Sequence, residues 1–133
     1  MRADQATTAA IEALVRETYQ RLSTPGSNPG ELFAHPDMAV AGSGQGELMY
    51  GPDVVAAVAA NIASWAFTWT PGQVTVWCEG DVAWAQVLGS VLTRRDEIEE
   101  QIPYWTTGVF ARDPDGWHWR YWGGSEPQSS PRV

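Results

Sequence analysis

The chain has 133 residues, 44% of them hydrophobic and 18% charged, which is typical of one globular domain and not of a disordered segment. Its 16 acidic residues outnumber 8 basic ones, all arginine, and the net charge of −8 repels nucleic-acid backbones and anionic membranes. We therefore expect neither partner. The single Cys78 cannot form an internal disulfide, and because the N-terminal stretch lacks a long apolar run, we expect it to be neither a signal peptide nor a membrane anchor. These features predict a cytoplasmic protein.

The N-terminal half of the sequence predicts two helices with a short strand between them. Residues 4–22 place apolar side chains three and four positions apart, which is typical of an amphipathic helix. The loop "STPGSNPG" follows, and "MAVAG" (38–42) indicates a short strand before the glycine-rich "SGQGELMYG", which favours a hairpin. A second helix begins at "GPD", where Pro52 fits the first helical position and Asp53 favours the helix dipole.

The C-terminal half predicts four strands. The segments "QVTVWCEG", "DVAWAQVLGSVLTRR", "IPYWTTGVFARD" and "GWHWRYWGGS" are rich in β-branched and aromatic residues. The turns "EGD", "RRDEIEEQ" and "DPDG" are short, so the strands should be antiparallel neighbours. Helices followed by a strand meander predict an α+β fold, with helices on one face of a curved antiparallel sheet. We expect one domain over residues 1–133, with a core of about 4–126 and a loose tail, "EPQSSPRV".

Five segments of the sequence, by their residues and their order along the chain, resemble the SnoaL-like branch of the nuclear transport factor 2-like superfamily. They are "ELFAHPDMAVAGSG", "YGPDVVAAVAANI", "EGDVAWAQV", "PYWTTGVFARDPDGW" and "YWGGSEP", which together span about residues 8–127. The resemblance implies a cone, in which a strongly bent sheet wraps the N-terminal helices and leaves a cavity between them. Members include isomerases, cyclases, dehydratases, hydrolases and proteins without activity, so the fold alone assigns no reaction.

Alternation along the strands predicts which side chains face that cavity. In the last strand, the resemblance implies that one set of side chains faces the cavity: Trp117, Trp119, Tyr121 and Gly123. The other set would lie on the outer side, through which relatives often dimerise: His118, Arg120 and Trp122. In the preceding strand, Trp105 and Thr107 would face the cavity and Tyr104 and Thr106 the outside. Relatives often carry arginine at the position of Trp105 and histidine at that of Gly123, which implies a more apolar pocket here.

The resemblance and the local sequence together nominate candidate site residues. Tyr19 lies near the position where ketosteroid isomerases carry an oxyanion-binding tyrosine, and Asp37 could act as a general base; the alternatives are an amphipathic edge residue and a turn residue of "HPD". Glu47 could face the pocket mouth or be an exposed loop acid. The candidate ligand contacts are Trp65, Trp105, Thr107, Trp119 and Tyr121.

The two histidines and one cysteine show no zinc spacing, no calcium-loop or phosphate-loop pattern is present, and we expect neither metal nor cofactor.

Three functions remain in competition. The first is a pocket protein that binds, or transforms by acid–base chemistry, an apolar carbonyl compound. The second is a non-catalytic dimerisation or adaptor module that meets a partner through the outer sheet face. The third is carbohydrate binding by tryptophan stacking.

Overall fold

The computed structural model of the chain describes residues 1–129, so Ser130–Val133 of the predicted loose tail lie outside the described residues. The N-terminal elements are α1 (Gln5–Leu22), a 3₁₀ helix (Pro29–Phe33), β1 (Ala39–Ala41), β2 (Leu48–Tyr50) and α2 (Pro52–Ser64). The meander that follows consists of β3 (Thr68–Glu79), β4 (Val82–Arg95), β5 (Ile98–Asp113) and β6 (Gly116–Ser125). The predicted α+β cone is confirmed.

Helix α1 is stabilised by an N-terminal cap and by the apolar side that its sequence period predicts. The Asp4 carboxylate accepts a hydrogen bond of 2.7 Å from the Thr7 backbone N–H and so caps the helix N-terminus. The buried side of the helix carries Thr7, Ile11, Val15, Thr18, Tyr19 and Leu22. Helix α2 begins at Pro52 as predicted, but it buries Val55, Ala59 and Ala63, whereas Val54 is exposed. No helix within residues 1–129 combines the length and hydropathy that crossing a membrane requires.

The six strands form one sheet in the order β2-β1-β6-β5-β4-β3. The meander strands are antiparallel neighbours, as predicted, and the parallel pairing of β1 with β6 makes the sheet mixed. The β4–β5 turn is also tighter than predicted. Asp96 and Glu97, with φ of 52° and 65°, form a two-residue turn of the type that matches strand twist, and Ile98–Gln101 are already in β5.

A β-bulge in β6 decides which of its aromatic side chains lie inside the cone. Phe110 pairs with Trp119 and Val109 with Tyr121, which leaves Arg120 as the extra residue. Trp119 and Trp122 are therefore both buried, and the predicted outward position of Trp122 was wrong. Gly108 provides the room, because a Cβ there would lie 2.8 Å from the Trp119 ring.

The register of β5 reverses the predicted faces of that strand. The inward side chains are those of Tyr104, Thr106 and Phe110, and the outward ones include Trp105 and Thr107. The burial of Phe110 at 0% exposure fixes this choice, since a shift of one residue would move the whole apolar set into water.

Candidate ligand-binding cavity

A cavity of about 890 Å³ opens between α2, the β1–β2 hairpin and the adjoining ends of β3, β4 and β5. Its wall is mainly apolar and includes Met49, Val58, Ile62, Trp65, Phe67, Trp69, Val91, Ile98, Ile102 and Tyr104. A narrow recess of about 60 Å³ shares part of this wall and reaches Leu22, Phe33, Val40, Val55 and Trp122. Apolar walls with a few polar groups are characteristic of small-molecule sites.

Tyr104 brings a buried hydroxyl to the wall of this cavity. Its ring lies 5.0 Å from the Trp69 ring at an interplanar angle of 77°, and its oxygen accepts a long hydrogen bond of 3.5 Å from the Trp122 indole N–H. Burial is the main cause that raises the pKa of Tyr104, and the carboxylates of Glu47 and Glu126 add to it. The hydroxyl therefore stays protonated at neutral pH and can donate a hydrogen bond.

The position of Tyr104 depends on a glycine opposite to it in β6. A Cβ at Gly124 would collide with the Tyr104 hydroxyl and lie 2.6 Å from its Cζ. Gly123, which we expected on the cavity side, pairs with Thr107 on the outer face instead. The space on the inner side lies at Gly124, and the Tyr104 ring fills it.

Trp69 lies in the wall of the cavity and carries a second donor, which is buried behind the surface of that wall. Its indole N–H is buried and finds no hydrogen-bond acceptor within residues 1–129. The residue is held by its backbone N–H, which donates to the Ser23 hydroxyl at 2.8 Å, and by an edge-on contact with the Tyr19 ring, 6.0 Å between centroids. An unsatisfied buried donor costs about 1–3 kcal/mol.

The structure keeps both predicted catalytic residues away from the cavity wall. Tyr19 is fully buried behind it, and its hydroxyl shares a hydrogen bond of 2.6 Å with the Thr106 hydroxyl. Asp37 is exposed in the turn before β1, where its backbone N–H donates to His35 Nδ1 at 3.0 Å. This geometry is that of a turn, the alternative interpretation of "HPD".

Of the five predicted ligand contacts, only Trp65 lines the cavity. Trp105, Thr107 and Tyr121 lie on the outer sheet face, so their predicted cavity orientation was wrong; the β5 register and the β6 bulge are the reasons. Trp119 faces inward as predicted, but it is core, since its indole N–H donates to the Thr18 hydroxyl at 2.9 Å.

Sequence reasoning missed Tyr104 and Trp69 and left Glu47 open between two interpretations. Glu47 lines both the cavity and its recess. Phe110 was the available signal for the inward face, on which Tyr104 lies six residues earlier, but the equally large Trp105 favoured the opposite face. Within residues 1–129, no three His, Cys, Asp or Glu side chains converge as a metal site would require.

The two buried tyrosines predict a loss of stability at alkaline pH. Burial raises the pKa of Tyr19 and of Tyr104, so above pH about 10 the unfolded chain releases phenol protons that the folded chain retains. The free energy of unfolding should then fall by up to about 1.4 kcal/mol per pH unit for each tyrosine. Urea unfolding between about pH 8 and 12 measures this slope.

Tyr19→Phe should reduce the alkaline slope. It should also cost about 1–2 kcal/mol at neutral pH, because the Thr106 hydroxyl loses its buried partner. Tyr50→Phe is the matched control, since Tyr50 is 72% exposed. An equal loss of slope in both variants would contradict the prediction.

Comparison with known proteins assigns this architecture. Residues 4–129 match the family model described as a SnoaL-like domain, whereas a search of curated proteins finds no match. A suggested dehydratase of the nuclear transport factor 2-like family from Streptomyces avermitilis superposes with a TM-score of 0.82 at 15% identity, covering 96% of this chain and 100% of that one.

Two further solved structures share the fold. A nuclear transport factor 2-like protein with a cystatin-like fold, from Novosphingobium aromaticivorans, has a TM-score of 0.79 at 18% identity, with 94% and 84% of the two chains covered. A suggested ketosteroid isomerase from Shewanella frigidimarina has a TM-score of 0.71 at 13% identity, with 87% and 94% covered. At these identities the likeness concerns the fold alone, and the family match over nearly the whole chain identifies the protein as a member of the SnoaL-like domain family.

Proposed function

We propose that this SnoaL-like chain binds an apolar, ring-bearing small molecule that carries a carbonyl or another hydrogen-bond acceptor. The observation that supports this most directly is the Trp69 indole N–H, buried and without an acceptor in residues 1–129, in the wall of an aromatic cavity. Native proteins rarely leave such a donor unpaired, and a ligand acceptor would satisfy it once a small shift of the wall side chains uncovers the N–H.

The wall and its two donors define complementary parts of the ligand. Trp65, Phe67 and Trp69 present aromatic surface to a flat ring system. The Tyr104 hydroxyl adds a second donor whose raised pKa keeps its proton in place. If the ligand is transformed, the chemistry of this site is acid–base catalysis on the carbonyl, with Tyr104 stabilising the developing oxyanion.

A thermal-shift panel of steroids, polyketides, aromatic acids and sugars tests the proposal, because a ligand that binds only the folded state raises its stability. We expect saturable shifts with apolar carbonyl compounds and none with sugars. Tyr104→Phe and Trp69→Phe should each weaken binding about five- to tenfold, as expected for one lost hydrogen bond. The outer-face variant Tyr50→Phe is the control, and a panel without any saturable shift would refute the proposal.

Turnover assays on the compounds that bind then address catalysis. Tyr104→Phe should lower kcat more than it raises KM if the hydroxyl acts mainly on the transition state. The sequence-based roles of Tyr19 and Asp37 stay predictions that Tyr19→Phe and Asp37→Asn test in the same assay. Unchanged turnover in both variants would remove those roles and leave Tyr104 as the candidate acid.

A second candidate function, assembly, is favoured by the outer sheet face. Strand pairing places the exposed side chains of Leu48, Tyr50, Leu88, Trp105 and Tyr121 on that one face. In a chain of net charge −8, an uncharged aromatic band is the surface on which two copies can meet with least repulsion. We therefore propose a homodimer through this band, with Trp105 and Tyr121 in the place predicted for Trp122 and Arg120.

Light scattering across a concentration series tests the dimer. Trp105→Arg should shift the protein towards monomer by placing a charge in the band, whereas Val54→Arg, at an exposed apolar position on α2, should not. A wild-type protein that stays monomeric at high concentration would refute this assembly.

A further inference from the structure

The mouth of the cavity carries an excess of negative charge. Four carboxylates line it, those of Glu47, Asp96, Glu100 and Glu126, against one guanidinium, that of Arg95. The guanidinium lies 5.4 Å from the centroid of the Phe67 ring, over its face, and so covers apolar wall. The entrance therefore has a local charge of about −3 directly above aromatic surface.

The ion pairs within residues 1–129 do not neutralise these four carboxylates. Arg21, Arg94 and Arg112 each form an ion pair with an acidic side chain outside the cavity. Within residues 1–129, none of the four mouth carboxylates lies within ion-pair distance of a cationic group. Like charges that share one opening repel each other, and a cation placed among them would be stabilised by all of them.

Two of the carboxylates converge at the side of the cavity where Tyr104 lies. Glu126 accepts a hydrogen bond of 2.6 Å from the Ser43 hydroxyl, which orients it in the rim. The Glu47 side chain folds back over the β1–β2 hairpin, where the missing side chains of Gly42 and Gly44 make room for its carboxylate. Both carboxylates line the cavity together with Tyr104, and their charges contribute to the raised pKa of its phenol.

We propose that the ligand of this cavity is a cation: an apolar ring system that carries a protonated amine, with the amine held at the mouth by Glu47 and Glu126. This inference rests on the proposed function and adds the charge of the ligand to it. The ring lies against Trp65 and Trp69, whose faces also attract a cation. The same rim repels anionic ligands, so an aromatic carboxylate of equal shape is selected against.

Three compounds with one ring system test the charge: 9-anthracenemethylamine, 9-anthracenemethanol and 9-anthracenecarboxylate, titrated by fluorescence at low and high salt. We expect the amine to bind about tenfold more tightly than the alcohol, and the carboxylate more weakly than both. The advantage of the amine should shrink as salt screens the rim.

A pair of charge variants separates the rim from the overall charge of the protein. The double variant Glu47→Gln/Glu126→Gln should remove most of the preference for the amine. The control Glu12→Gln/Glu79→Gln changes the net charge equally at positions outside the cavity wall and should keep that preference.

The outcomes of these titrations test the cationic ligand separately from the proposed binding of a ring compound. An alcohol that binds as tightly as the amine, or an equal loss of preference in both double variants, overturns the cationic ligand and leaves the ring-binding cavity intact. Binding of none of the three compounds overturns both. A preference for the amine that only the rim variant loses supports both.

Discussion

Trp119→Ala is expected to lower the free energy of unfolding by about 3–5 kcal/mol, the usual cost of truncating a fully buried tryptophan. The indole is 1% exposed and lies 4.4 Å from the Phe110 ring and 5.1 Å from the Trp122 ring, between centroids. Its N–H also donates to the Thr18 hydroxyl on α1. The variant thus loses core packing and one link between the first helix and the last strand.

Urea unfolding followed by circular dichroism measures this cost, with Trp65→Ala as the matched control. Trp65 is 48% exposed at the cavity mouth, and its removal should cost about 1 kcal/mol or less. Equal costs for the two variants would mean that the bulge in β6 does not turn Trp119 into the core.

Gly124→Ala is expected to cost about 3 kcal/mol, at the upper end for overpacking by a single methyl group. The new Cβ would meet the Tyr104 hydroxyl and ring, and the ring has little freedom to retreat because Trp69 and Trp122 pack against it. Gly123→Ala is the matched control on the opposite face, where the nearest atom outside the flanking residues is Cε1 of Tyr121, at 3.1 Å from the added Cβ. That substitution should cost about 1 kcal/mol or less.

A double-mutant cycle assigns the cost of Gly124→Ala to Tyr104. In a Tyr104→Leu background the same substitution should cost about 1 kcal/mol, since the clashing atoms are gone, which gives a coupling of about 2 kcal/mol. Additive costs in urea unfolding would show that the strain lies elsewhere. The cycle also bears on function, because a displaced Tyr104 loses the donor position that the proposed ligand needs.

The cavity combines features that lie far apart in the sequence. One donor, Trp69, lies in β3, and the other, Tyr104, lies in β5. The acids of the rim come from the β1–β2 hairpin, the β4–β5 turn, the start of β5 and the residue after β6. An acceptor-bearing ring with a cationic end would match the donors, the aromatic wall and the rim at once. A ligand with an apolar ring and a cationic end is a narrower class of compound than the simply apolar ligand that we expected from Trp105 and Gly123.

The order of elements follows from local chemistry, and it was predictable. Each of the sequence signals sets the conformation of the few residues around it. They are the helical period of residues 4–22, the Gly-Pro-Asp helix start at 51–53 and the turn residues between the aromatic strands. These signals determined the helices, the strand meander and, with the family resemblance, the cone. The acidic composition likewise leads us to expect neither nucleic-acid nor anionic-membrane partners, and that stays a prediction.

Which face of each strand lies inward was decided only by the tertiary structure. Alternation leaves two equivalent choices for a strand whose two faces are both aromatic, as in β6 and around Tyr104–Thr107 in β5. The choice depends on a single bulge residue, Arg120, and on the space that Gly108 and Gly124 leave for Trp119 and Tyr104. These are long-range fits between strands, and a strand's own sequence contains no record of the neighbour that it must accommodate.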